Sequence, residues 1–237
     1  MSNLTKPSRA DVPTHVDKSW GGVCQVGGVC LVLTGIFFLL GFALTIAQGQ
    51  PPGTIEETLT KIAGQKRLYQ AANGAFVLSD LLPIPAMLAL YLVLKESRRT
   101  HALIATAMGV LGVALAIGLR AGVHAMGALG SGYVAAGGEA QRAAYVAAAE
   151  LVTGATDPGL TLANVLIYGF TLLISIAMRG SIFGKWPAYL GIVTGGLGLL
   201  GLVGGLLVPA LSAVTLLAAL GWAVWFFVVG FKLYRLG

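Results

Sequence analysis

Residues 22–47 read GVCQVGGVCLVLTGIFFLLGFALTIA, a run without one charged side chain. As a helix it rises about 39 Å, more than the ~30 Å hydrocarbon core of a bilayer, which about 20 apolar residues suffice to cross. The run far exceeds the apolar region of a cleavable signal peptide, about 7 to 15 residues, and it follows a polar tail, so it reads as a retained membrane helix. Five further runs of the same kind follow at 71–94, 102–129, 158–178, 186–207 and 210–231. Composition agrees. The 237 residues are 57% hydrophobic and 10% charged with mean hydropathy +0.85, where a soluble chain carries about 25% charged residues. This balance excludes a water-soluble globular enzyme, a disordered chain and a nucleic-acid-binding protein, and no basic groove interleaved with stacking aromatics is present. The expected fold is all-α: a polytopic bundle of six transmembrane helices forming one domain over 21–237, preceded by an extended arm at 1–20, with the lipid bilayer as its surroundings.

Six helices put both termini on one side. Lys6, Arg9, Lys18, Lys95, Arg98, Arg99, Arg179, Lys185, Lys232 and Arg235 would share that side, against Lys61, Lys66, Arg67 and Arg142 on the other. Basic residues accumulate on the cytoplasmic face, so cytoplasmic termini and a bacterial inner-membrane location are expected. Trp20 and Trp186 then fall at the cytoplasmic interface, with Trp225 and Tyr234 close to it. On the outer side, 54–70 carries Ile55, Leu59, Ile62 and Tyr69 at helical spacing, and 139–152 is alanine-rich with Glu139 and Arg142 as an i,i+3 pair. Both are too short and too charged to span, and two short interfacial helices are expected there. The connection near Pro209 is short, which predicts antiparallel neighbours on either side of it.

The fifth run holds Gly191-x-x-x-Gly195 and Gly201-x-x-x-Gly205. Small residues at this spacing let two backbones approach closely, either within the chain or against a membrane-protein partner or a second copy. Cys24 and Cys30, six apart on one helix, are separated by about 9 Å along the axis and cannot pair; they read as small packing residues.

Polar groups inside hydrocarbon are costly, which makes their positions informative. Asp157, Thr161, Asn164, Tyr168, Thr171 and Ser175 recur at spacings of four and three and form one stripe along the fourth run. The stripe either lines a wet cavity or bonds to a neighbouring helix. Asp157 before Pro158 is also suited to an N-cap followed by proline at the first helical position. Asp80 is the acid deep within a span, and Asn73 shares its face. Pro83 and Pro85 free the carbonyls of Ser79 and Leu81 beside it. The carboxyl either holds a proton, cation or ligand, or is paired and fixes packing. In the third run Ala114, Gly118 and Gly122 form a small-residue ridge expected to pack, while Arg120 and His124 point away from it. Arg120 lies near the outer edge of the core and either reaches the headgroups or joins a polar cluster. Counting along the helices, Asp80 is about 12 Å in from Ala72 and Asn164 about 9 Å in from Pro158, so the two share a depth. Asp80, Asn73, Arg120, His124, Asn164 and Tyr168 are the candidate ligand-binding residues, provided that the second, third and fourth helices are neighbours.

No metal site is expected: His101 and His124 stand about 34 Å apart along one helix. No zinc-protease, P-loop, serine-hydrolase or dinucleotide motif occurs, and the cofactor is left unknown by the sequence. The apolar first helix, the outer segment leading into a helix that ends LALYLVLK at 88–95, the late arginine Arg120 and the run KWPAYLGIVTGGLGLLGLVG at 185–204 together resemble a bacterial six-pass membrane family catalogued only as a domain of unknown function. The resemblance covers most of 20–237. It implies six helices and a membrane address, and brings no substrate or catalytic residue. Such relatives place an acid just after the helix-three arginine; here His124 follows Arg120.

Two functions are therefore open. One is a non-enzymatic membrane protein that binds or conducts a small ligand, or serves as an accessory subunit of a membrane complex. The other is a membrane-embedded enzyme acting on a lipid or other amphiphile at the outer interface, with Asp80, His124 or Glu150 as acid or base and Arg120 holding an anionic group.

Overall fold

The computed structural model describes residues 18–50 and 52–237; residues 1–17 of the expected arm lie outside them. Every regular element among the described residues is helical: α1 (Gly21–Ala47), α2 (Ile55–Gly64), α3 (Lys66–Leu81), α4 (Pro83–Ala135), α5 (Glu139–Met178), α6 (Lys185–Leu207) and α7 (Val214–Tyr234), with 3-10 turns at Lys18–Trp20 and Pro209–Ala213. Five helical segments are long and apolar enough to cross a membrane, and one of them, Lys66–Ala135, is 70 residues long.

That long segment doubles back on itself. Laid straight, the stretch between Asp80 and Arg120 would hold them about 60 Å apart, yet their side chains are in contact at 2.9 Å. Tyr69 Oη donates to the carbonyl of Val123 at 2.8 Å, and Met87 lies against Gly109. All three pairings are centred within two or so residues of Arg98, whose φ of −147° and ψ of 60° leave the helical region. The break falls in the polar stretch Glu96–Ser97–Arg98–Arg99–Thr100, where no apolar surface needs burial. The two limbs of α4 are thus antiparallel.

The helices close a ring in chain order. The paired α3 and first limb of α4 pack on α1, the second limb of α4 on α5, α5 on α6, α6 on α7, and α7 on α1. Glycine makes these approaches possible. A Cβ on Gly28 would meet the Tyr234 backbone nitrogen at 2.5 Å and the Gly230 carbonyl at 2.7 Å, so α1 and α7 touch backbone to backbone. Gly191, Gly195 and Gly201 of α6 are likewise filled from within the chain, by Ser175 and Trp225, by Leu172, and by Thr215. Lipid offers no hydrophobic drive between helices, so tight van der Waals contact of this kind holds the ring together.

Contacts gather the basic residues at one end. Lys95 Nζ sits 5.5 Å from the centroid of the Trp20 ring, Lys232 Nζ donates to the Phe183 carbonyl at 2.6 Å, and Arg98, Arg179 and Lys185 share one hollow. Trp20, Trp186 and Tyr234 are exposed there. Trp225, expected near them, is instead fully buried against Phe170 and Phe226.

Three further expectations are corrected. The segment 139–152 is not a separate helix: α5 runs unbroken from Glu139 to Met178, about 60 Å, with Gly138 at its start and Pro158 inside it. Asp157 therefore caps nothing; its carbonyl accepts from Thr161 Oγ1 at 2.9 Å. An internal proline costs ~3 kcal/mol, and the alanine-rich turns before it offset that cost through good helix propensity and packing of Ala149 against Leu59, Ile62 and Met126. α2 covers this end, begun by Thr54, whose Oγ1 accepts from the Glu57 amide at 3.2 Å. Finally, of the expected ridge only Gly122 packs, a Cβ there meeting Thr156 Oγ1 at 2.6 Å, while Ala114 and Gly118 are exposed and the packed face of α4 runs through Gly109, Gly112, Val113 and Ala116. Periodicity distinguishes the faces of a helix but cannot say which one turns inward.

Candidate functional site

A partly open cavity of about 200 Å³ lies inside the ring. Its wall draws on α1 (Phe38), α3 (Phe76, Ser79, Asp80), both limbs of α4 (Pro83; Val113, Arg120), α5 (Asn164, Ile167) and α7 (Trp222, Phe226). At 1.5 Å per residue Phe38 is about 14 Å from the C-terminal end of α1 and Trp222 about 12 Å from the N-terminal end of α7. Both helices therefore place the cavity nearer the end away from the basic cluster.

Local sequence positions its polar groups. α3 stops at Leu81 and α4 restarts at Pro83, so Asp80 stands in the last turn of α3. Pro83 and Pro85 have no N–H to give, which leaves the Ser79 and Leu81 carbonyls without helical donors beside the carboxylate. Ser79, buried, reaches from α3 to the Thr34 carbonyl of α1 at 3.4 Å. The fold-back at Arg98 carries Arg120 to the same height. Its Nε donates to Asp80 Oδ2 at 2.9 Å, and its guanidinium lies 4.9 Å from the Phe76 ring centroid.

The pairing is single rather than bidentate. Among the described residues, no protein acceptor meets the Arg120 terminal nitrogens and no donor meets Asp80 Oδ1. Both side chains keep 18% of their surface accessible, and none of their atoms is among the sealed polar atoms without partners, which are Thr106 Oγ1, Ser175 Oγ and Trp225 Nε1. Arg120 thus keeps unspent donors with some accessible surface, and its side chain is part of the cavity wall. Four N–H groups on a fixed fork beside the Phe76 ring suit a carboxylate or carbonyl oxygen.

Of the six residues singled out by sequence, Asp80, Arg120 and Asn164 meet in this wall. Tyr168 stands directly behind it, stacked on Trp222 at 4.1 Å. Asn73 is spent locally, its Nδ2 donating to the Tyr69 carbonyl at 3.0 Å, and His124 is exposed outside the wall, as is Glu150. The polar stripe of α5 divides along its length. Asn164 faces the cavity, whereas Thr171 Oγ1 accepts from Trp222 Nε1 at 2.8 Å and Ser175 packs beside Gly191 and Trp225. The aromatic wall of Phe38, Phe76, Trp222 and Phe226 went unnoticed in the sequence because apolar aromatics in a span read as ordinary core. One signal was there: Trp222 lies well inside its run, where an indole N–H needs a partner, and Phe226 shares its face. Among the described residues no three His, Cys, Asp or Glu side chains gather to hold a metal ion.

A family model described as a domain of unknown function (DUF4386) matches residues 26–233, which include every residue of the cavity wall. No curated protein and no solved structure matches the chain.

Proposed function

The chain belongs to the DUF4386 family, and from that premise we propose a six-pass integral membrane protein whose central cavity binds a small amphiphile with an oxygen-bearing, anionic or neutral end. The observation that carries this reading is the Arg120 fork, held to Asp80 through Nε alone and lining an aromatic-walled cavity. Size narrows the ligand. At about 200 Å³ the cavity exceeds the ~150 Å³ that admits benzene, and it falls below the ~300 Å³ at which ordinary small-molecule pockets begin. A ring or short chain with one polar end matches that volume.

Phenylacetate, 2-phenylethanol and 2-phenylethylammonium form a matched test set differing in the charge of the polar end. Thermal unfolding of the purified protein should shift upward most with phenylacetate, less with the alcohol and least with the ammonium ion. In Arg120→Met the phenylacetate shift should vanish. No shift with any of the three, or a phenylacetate shift that survives Arg120→Met, would reject the site.

The fold-back at Arg98 counts as two crossings in this reading, which makes six in all, with α2 lying at the outer surface. The basic end faces the cytoplasm, because Lys95, Arg98, Arg179, Lys185 and Lys232 converge there. A C-terminal green fluorescent protein fusion should therefore fluoresce in intact bacterial cells. A dark fusion, with a C-terminal alkaline phosphatase fusion active instead, would reverse the orientation.

A further inference from the structure

At the basic end, Arg98 from the break in α4, Arg179 just past α5 and Lys185 at the start of α6 line a hollow of about 350 Å³ with Gly180 and Tyr189. The turn between α5 and α6 is built to bring them together. Gly180 and Gly184 take φ of 81° and 75°, values that a side chain disfavours, and the chain reverses between Arg179 and Lys185. The Arg179 guanidinium lies 5.6 Å from the Tyr189 ring centroid. Three cations from three chain segments thus converge with no carboxylate in the wall; Glu96, nearest in sequence to Arg98, is not part of it. Among the described residues, the one salt bridge is Arg120–Asp80, so no carboxylate is paired with these three cations. α6 also begins here without a side-chain cap, its first N–H groups aligned with the same field.

The surroundings set the height. Trp186, 84% exposed, and Tyr189, 50% exposed, flank Lys185, and amphipathic aromatics of this kind settle at the level of lipid headgroups. We propose that this hollow binds the phosphate of an anionic phospholipid headgroup, with Arg98, Arg179 and Lys185 as its ligands. A basic pocket between helix ends at the membrane surface has the charge and geometry to hold a phosphodiester, and inorganic phosphate shares that chemistry. The site is separate from the central cavity, and either can stand without the other.

The full chain in dodecyl maltoside, exposed in turn to dioleoylphosphatidylglycerol, dioleoylphosphatidylcholine and inorganic phosphate, provides the test, with native mass spectrometry counting retained lipid and thermal unfolding as a second readout. The wild type should retain phosphatidylglycerol over phosphatidylcholine. The variant Arg98→Gln/Arg179→Gln/Lys185→Gln should lose that retention about tenfold or more, while Lys61→Gln/Lys66→Gln/Arg67→Gln, equal in charge removed, should keep it. All the substituted side chains except the half-buried Lys61 are exposed, and Lys185→Gln alone serves if the triple variant fails to give a monodisperse protein. Equal retention in the triple variant and the wild type, or equal loss in the two variants, would overturn the site. Stabilisation by inorganic phosphate without retention of phosphatidylglycerol would overturn the lipid assignment.

Discussion

Asp80→Asn should lower the stability of the protein in detergent by about 3 kcal/mol, and Asp80→Leu/Arg120→Met should recover most of that loss. The Arg120 charge left without a partner sets the first figure. Removing one partner from a buried ion pair costs about 3 to 5 kcal/mol, because the other charge is left unanswered. Placing an unpaired arginine within a span costs about 2.5 to 3.5 kcal/mol on insertion scales. The 18% accessibility of each side chain argues for the lower end of both. Replacing the whole pair with apolar side chains removes the uncompensated charge together with its partner, and such replacements are commonly neutral or stabilising. The double variant also separates structure from function: it should unfold much like the wild type yet show no response to phenylacetate. Thermal unfolding of the wild type, the single and the double variant decides the matter. If the double variant is as unstable as Asp80→Asn, the role given to Asp80 as the answer to Arg120 is wrong.

The second large effect comes from two adjacent glycines. Gly195→Ala should destabilise by about 1 to 3 kcal/mol, whereas Gly196→Ala should be neutral or stabilise by up to about 1 kcal/mol. A Cβ at Gly195 would stand 2.7 Å from the backbone nitrogen of Leu172 and 2.9 Å from its Cα; at Gly196 it would meet nothing within 4 Å. Backbone atoms of a packed helix cannot swing aside as a side-chain tip can, so α5 and α6 would have to separate. At Gly196 the alanine gains helix propensity and touches nothing in the protein. The pair is its own control, since both sites share one helix and one depth. Equal thermal shifts for the two variants would show that the close approach of α6 to α5 is not a source of stability.

How much of this was legible beforehand depended on range. The helical runs could be read because hydrophobicity along 20 or so residues is a local property. The common depth of Asp80 and Asn164 was legible for the same reason, since rise per residue is fixed. The start of α5 was not. Asp157-Pro158 has every local mark of a helix start, and packing of the preceding turns against α2 and α4 overrode it. Arg120 shows the same limit: its helix face was known, but whether that face turned to lipid or to Asp80 depended on a fold-back 22 residues away. Asn73 and His124 shared a helix with the right residues and still fell outside the cavity wall, because a helical stripe drifts away from a cavity that occupies only part of its length.

What the sequence alone determined is the solvent and the segments: a chain this apolar belongs in lipid, and the spacing of its charges marks where helices end. Only the tertiary structure decided that α1 and α7 close the ring, that Phe38, Trp222 and Phe226 share one cavity wall with Asp80 and Arg120, and that Arg98, Arg179 and Lys185 converge. The physical reason is that transfer from water to lipid is a sum over residues, which order along the chain already contains. Which helix face meets which is settled by close contacts among glycines, aromatics and one ion pair, and each of those depends on two distant positions at once.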